Sequence, residues 1–238
     1  MGFKSLTPTG GIAINVFSDI WAGLDWTVLI SILIAIIPAL ICITIHELAH
    51  GYIAYKLGDS TAKNEGRLTL NPIKHIDPMG LLMMIVFRFG WAKPVPVNMY
   101  NFKNPKTGMA ITAIAGPISN ILLAGLVLLL YGLLYRVIIG FGDGGQMLLE
   151  MMIITAYISC ALAIFNLIPI PPLDGSKVLF SLLPEKQYFT LMRYERFGMI
   201  ILLLLIFTDA LTPFLRTAVG TVFEWMFKIA LWADFLVA

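Results

Sequence analysis

Three uncharged apolar stretches constrain this chain more than any other feature: Val28–Ile45, Met109–Tyr135 and Met151–Leu173. A bilayer core is about 30 Å thick, and a helix of roughly 20 apolar residues crosses it. Inside that core no water satisfies backbone N–H and C=O groups, so a helix, which satisfies its own, is the natural spanning element. Continuous runs of this length exceed any ordinary buried strand. Two further stretches, Phe197–Thr208 and Thr217–Trp232, are short or interrupted by Asp209, Glu224 and Lys228. A last run, Leu81–Phe87, is too brief to cross as a plain helix. The expected spans are Leu29–Leu57, Gly108–Tyr135, Met147–Ile168 and Tyr188–Leu211, with room for another at the C-terminus.

The fold class that follows is an all-α polytopic membrane protein, with about four to six transmembrane helices. Composition agrees, since 59% of the 238 residues are hydrophobic and only 13% charged, against about 25% charged in soluble domains. Little chain remains for a soluble domain. A single domain over residues 1–238 is expected, with a core at 29–184 and a C-terminal helical segment at 188–238. A net charge of +2 gives no basis for nucleic-acid binding. Cys42 and Cys160 are isolated in apolar surroundings and read as small buried hydrophobes.

The cations divide by side. Lys63, Arg67, Lys74, Arg88, Lys93 and Lys103 lie between the first two long spans, Arg136 lies between the next two, and Lys177, Lys186, Arg193 and Arg196 follow the third. The positive-inside rule places the first and third groups in the cytoplasm and the N-terminus outside. Met1–Asp25 lacks the pattern of a signal peptide. Asp25 suits a helix N-cap, Pro38 is a candidate kink and Gly58 suits a C-cap. The polar stretch Asp59–Pro78 reads as a loop. In Gly90–Asn98 the alternating Pro94 and Pro96 forbid a helix and suit a membrane-associated extended or hairpin segment.

The first span ends in His46-Glu47-Leu48-Ala49-His50. Residues four apart share a helix face, so both imidazoles can reach one metal ion. Glu47 then stands beside the metal, where it can take a proton from water. Ionisable groups in a membrane span are expensive and default to function; the bland alternative is a solvated helix end at the interface. A catalytic zinc takes three protein ligands and keeps one position open. Candidates for the third are Glu65, His75, Asp77, Asp174 and Asp209. Topology favours Asp174, because the third span returns to the side where the histidine helix ends. Pro169, Pro171 and Pro172 stop that span first, so Asp174 is expected on an extended turn.

Taken together, His46–His50, Asn71–Gly80, Gly90–Asn98, Gly116-Pro117-Ile118-Ser119-Asn120 and Asn166–Gly175 resemble the site-2 protease family of intramembrane metalloproteases. The likeness is to the compact bacterial type without PDZ or CBS domains, and covers about Leu29 to Pro184. It implies one zinc ion per chain, held by His46, His50 and Asp174, with Glu47 as catalytic base. It further implies that Asn166 lies near the site and binds substrate or the oxyanion, and that Asn120 belongs to a helix-packing motif. The implied substrates are transmembrane segments of other proteins, and the implied location is a bacterial inner membrane with the site toward the cytoplasm. An extended strand near Val95–Val97 could pair with an unwound substrate, or serve only as a loop anchoring Trp91 at the interface. Two other readings stay open: a zinc peptidase with Glu65 as third ligand, and a non-proteolytic zinc protein such as a transporter or silent regulator.

Overall fold

A computed structural model describes residues 26–80 and 92–237. The Asp25 cap, the sidedness of the N-terminal segment, the Leu81–Phe87 run and Trp91 therefore lie outside the described residues. Those residues are helical without a strand ladder, with one isolated antiparallel bridge between Ile76 and Ala92. Helix α1 spans Trp26–Lys56, α2 Pro105–Ile139, α3 Asp143–Asn166, α4 Asp174–Ser181, α5 Glu185–Arg193, α6 Glu195–Phe207 and α7 Thr212–Leu236.

Among the described residues three helices are long and apolar enough to cross a membrane: Ile34–Lys56 of α1, α2 and α3. The 35 residues of α2 rise about 52 Å at 1.5 Å each, more than the hydrocarbon core requires. Asn104 starts α2 by accepting the Thr107 N–H at 3.1 Å, with Pro105 in the first turn where no N–H is needed. Helix α1 runs through Pro38 without ending. It stops at Gly58, whose φ of +109° lets the Gly58 N–H reach Tyr55 O at 3.2 Å and the Asp59 N–H reach Ala54 O at 2.9 Å. Those two bonds form a Schellman motif.

The expected fourth span, Tyr188–Leu211, is not one helix. The chain breaks at Tyr194, between α5 and α6, and again at Asp209, which has a φ of +59°. Helices α6 and α7 pass together as one apolar span only if a bend of 86° is allowed. The reason lies in the charges: Glu185, Lys186 and Arg193 make α5 amphipathic, which suits an interface rather than a bilayer core. The thirteen residues of α6 rise about 20 Å, too little to cross alone.

Helix α2 is the hub. Ala124 and Leu128 of α2, Ala156 and Cys160 of α3, and Val219 and Ala230 of α7 form one buried cluster. Lipid tails are as apolar as these side chains, so association depends on close packing, which small residues permit. At Gly132 an added Cβ would lie 2.1 Å from the Ala230 carbonyl, so α7 can approach α2 only while Gly132 lacks one. The same hub faces α1 and α4 at its other end, where the chemistry-bearing residues gather.

Candidate metal centre

The last turns of α1 carry His46, Glu47 and His50. The two rings meet edge to face, with centroids 4.6 Å apart. Asp174 arrives from the far side, and His46 Nε2 lies 3.2 Å and His50 Nε2 3.1 Å from its Oδ2. The two Nε2 atoms are themselves 3.0 Å apart. All three residues are buried. Among the described residues they form the one group of His, Cys, Asp and Glu whose ligand atoms could hold a metal ion.

Asp174 is the first residue of α4, with Leu173 as an extended N-cap, so the expected extended turn is corrected to a helix start. A carboxylate at that position is favoured by the exposed N–H groups of the first turn. The following Gly175 has no positive φ and is no turn glycine. An added Cβ there would lie 2.2 Å from the Leu167 carbonyl, so Gly175 permits α4 to pack against the end of α3.

Helix α2 orients the imidazoles. His50 Nδ1 lies 2.7 Å from the Thr112 carbonyl, which can only accept, so the proton sits on Nδ1 and Nε2 keeps its lone pair. Asn120 stands 3.4 Å from His46 Nδ1 through its Nδ2, while its buried Oδ1 has no partner. The amide oxygen and nitrogen exchange places on a half-turn of the side chain, and Oδ1 then accepts an Nδ1–H bond from His46. Both Nε2 atoms and the carboxylate oxygen are in that arrangement bare acceptors facing one another. Such a cluster is repulsive unless a cation lies among them. Donor atoms about 3.3–3.4 Å apart are what a tetrahedral zinc with bonds of about 2.0–2.1 Å requires, close to the three separations here. Gly116 completes the cradle, because a Cβ on it would fall 2.5 Å from His50 Nε2 and 2.6 Å from His46 Nε2.

The other candidates for the third position lie away from the two imidazoles. His75 is buried with its Nε2 3.0 Å from the Thr69 carbonyl. Asp77 Oδ1 accepts the N–H groups of Met79 and Gly80 at 2.8 and 3.1 Å. Asp209 accepts the Thr212 hydroxyl at 2.5 Å, and Glu65 is exposed at the end of the helical turn Thr61–Asn64.

A cavity of about 600 Å³ opens beside the three groups. Glu47, Asn166 and Lys177 line it, with apolar walls that include Ile43, Leu162 and Phe165. Asn166 donates its amide to Leu162 O at 3.0 Å. Glu47 Oε2 accepts the Val95 backbone N–H at 2.8 Å. Sequence reasoning missed this bond, along with the parts played by Thr112, Gly116 and Lys177. Signals were available for two of them: Gly116 opens a motif of the resemblance, and a Lys stands three residues after Asp174, its Nζ 3.7 Å from Asp174 Oδ1.

The segment after Ala92 is not a strand. Its Lys93 N–H donates to His75 O at 2.9 Å and its Val95 N–H to Glu47. Pro94 and Pro96 have none. From Lys93 to Pro96, then, each donor is committed or missing.

A helical membrane protein with two histidines and an aspartate converging beside a cavity is the class that the fold and site define. Comparison with known proteins makes it specific. The profile of peptidase family M50 matches residues 137–208. That stretch contains Asn166 and Asp174 but lies beyond the histidines. Over 177 residues the chain is 41% identical to "Putative zinc metalloprotease YwhC" of Bacillus subtilis, covering 73% of this chain and 80% of that protein. It is 27% identical over 233 residues to "Putative zinc metalloprotease Rip2" of Mycolicibacterium smegmatis, covering 96% and 82%. It is 32% identical over 138 residues to "Putative zinc metalloprotease MJ0611" of Methanocaldococcus jannaschii, covering 56% and 62%. No solved structure gives a significant match. The chain belongs to peptidase family M50, the site-2 protease family that its motifs resemble. It is an integral membrane protein of a metalloprotease family.

Proposed function

We propose that this protein is an intramembrane zinc endopeptidase that hydrolyses peptide bonds in or beside transmembrane segments of other membrane proteins. The observation that carries this reading is the triangle of His46 Nε2, His50 Nε2 and Asp174 Oδ2, with edges of 3.0–3.2 Å, beside a cavity among membrane-length helices. These three residues hold one zinc ion per chain. A bound zinc ion polarises a carbonyl and lowers the pKa of water to about 7.

Glu47 is the general base: it takes a proton from water and returns it to the departing amine. Thr112 and Asn120 hold the imidazoles so that Nε2 points at the metal. Asn166, on the cavity wall, binds the substrate carbonyl or the charge that develops on it. The substrate helix unwinds to enter, because its own hydrogen bonds shield its peptide groups. The whole chain, 1–238, acts as one catalytic domain built on the core 29–184. The location proposed is a bacterial inner membrane, as the family resemblance implies, and the cation pattern supports placing the cavity toward the cytoplasm.

The test is metal analysis of protein purified in detergent, followed by mass spectrometry of a cleaved membrane-protein substrate. About one zinc per chain is expected, with Glu47→Gln keeping the metal and losing cleavage. Full zinc in the His46→Ala, His50→Ala double variant would end the metal assignment. Zinc-dependent transport by protein that cuts nothing would replace the protease with a transporter.

A further inference from the structure

Arg67 is a buried cation, 5% exposed. Among the described residues no acidic side chain pairs with it. Its Nη2 donates instead to two successive backbone carbonyls, Lys93 O at 2.8 Å and Pro94 O at 3.3 Å. The Pro94 carbonyl and the Val95 N–H are two ends of one peptide group, and that N–H donates to Glu47 Oε2 at 2.8 Å. A peptide group is a rigid plane with its C=O and N–H pointing in opposite directions. Holding the oxygen fixes the direction of the hydrogen. A cation at the oxygen also draws electron density toward it, which makes the N–H a stronger donor.

We infer that Arg67 is a positioning residue for the reaction: through the Pro94–Val95 peptide it aims the Val95 N–H at Glu47 and so holds that carboxylate in place. Arg67 touches neither the three converging ligand groups nor the cavity, and acts only through the backbone. Neighbouring bonds fit this role. Lys93 N–H is tied to His75 O, and Asn98 N–H to Asp59 Oδ2 at 2.7 Å, so the segment is pinned on both sides of Val95. The prolines flanking Val95 leave its N–H the one backbone donor between Lys93 and Val97.

The inference rests on Glu47 being the base, so the experiment separates the two. Glu47→Gln, Arg67→Met, Arg67→Lys and Val95→Pro are compared in the zinc-loaded full-length protein. The measurements are zinc content, steady-state cleavage and amide hydrogen exchange of the 92–98 segment. Arg67→Met should lower kcat about 10- to 100-fold, part of what a general base contributes, with KM within about twofold and zinc retained. Val95→Pro removes the N–H itself and should show the same split. Arg67→Lys should recover part of kcat. Exchange in 92–98 should quicken in both Arg67→Met and Glu47→Gln, a readout that needs no turnover. Wild-type kcat in both Arg67→Met and Val95→Pro, with Glu47→Gln silent, would overturn this inference alone. Loss of zinc, or a change confined to KM, would overturn it too. Turnover by Glu47→Gln would remove the base assignment, and this inference with it.

Discussion

At Gly116 the absence of one methyl group decides whether two imidazoles can converge. The Cβ of an alanine would stand within 2.6 Å of both Nε2 atoms, and neither ring can retreat while α1 packs on α2. Gly116→Ala is expected to weaken zinc binding about 10- to 100-fold, the range seen when groups behind metal ligands are changed. Competition with a chromophoric chelator measures it, and unaltered affinity would show that the cradle tolerates a side chain. Asp174→Ala should lose both zinc and cleavage, and Asp174→Asn should be severely impaired because a neutral amide is a poorer ligand. His75→Ala and Glu65→Ala should keep the metal. The reverse pattern would hand the third position to one of those residues. The spacing of His46, Glu47 and His50 is visible in the chain because helical periodicity alone puts residues four apart on one face. Gly116 and Asn120 carry no such signal. Their role exists only where a second helix meets the first.

On the scale of elements, the connection between α1 and α2 shows how a loop can be as determined as a helix. Asp59, whose N–H closes the Schellman turn, lies fully buried. It accepts the Asn98 N–H and the Asn101 amide, both at 2.7 Å, and the Thr61 hydroxyl at 2.5 Å. Burial pushes its carboxyl upward, but these bonds outweigh it and hold the group below its ordinary value of 3.8. A depressed folded pKa means the stabilisation is complete above that ordinary value and is lost as pH falls through the folded one. Asp59→Asn should therefore destabilise the protein at pH 7 by about 2 kcal/mol, the scale of bonds to a charged group. The gap to wild type should narrow below about pH 4. Thermal unfolding in detergent at the two pH values checks this, and a gap independent of pH would remove the carboxylate from the account. Gly58 was readable as a cap from its place after the last apolar turn. The breaks at Tyr194 and Asp209 were not, because hydropathy over Tyr188–Leu211 averages an amphipathic helix with an apolar one.

Across the whole molecule, α1 and α3 must end on the same side for Asp174 to meet the histidines. Reporters inserted in the Asp59–Asp77 loop and after Gly175 should both face the cytoplasm, and one near Asp143 the outside. Opposite readings for the first two would separate the site in space. This requirement, the membrane class, the three long helices and the His46–His50 pair all follow from local patterns: runs of apolar residues, periodicity and the sides on which cations collect. Each such pattern acts within one segment and survives in any packing of the chain. Sidedness and motif favour Asp174 in the sequence, but that its carboxylate meets the histidines is a different kind of fact. Asp174, Asp77, Glu65 and Asp209 are much alike as residues, and they differ in what lies within hydrogen-bonding distance once α2 has brought α1 and α4 together. The same holds for Arg67 and Val95, linked to Glu47 across 20 and 48 positions of chain. Contacts between distant segments depend on the packing of helices against one another, and a linear pattern carries no record of that geometry.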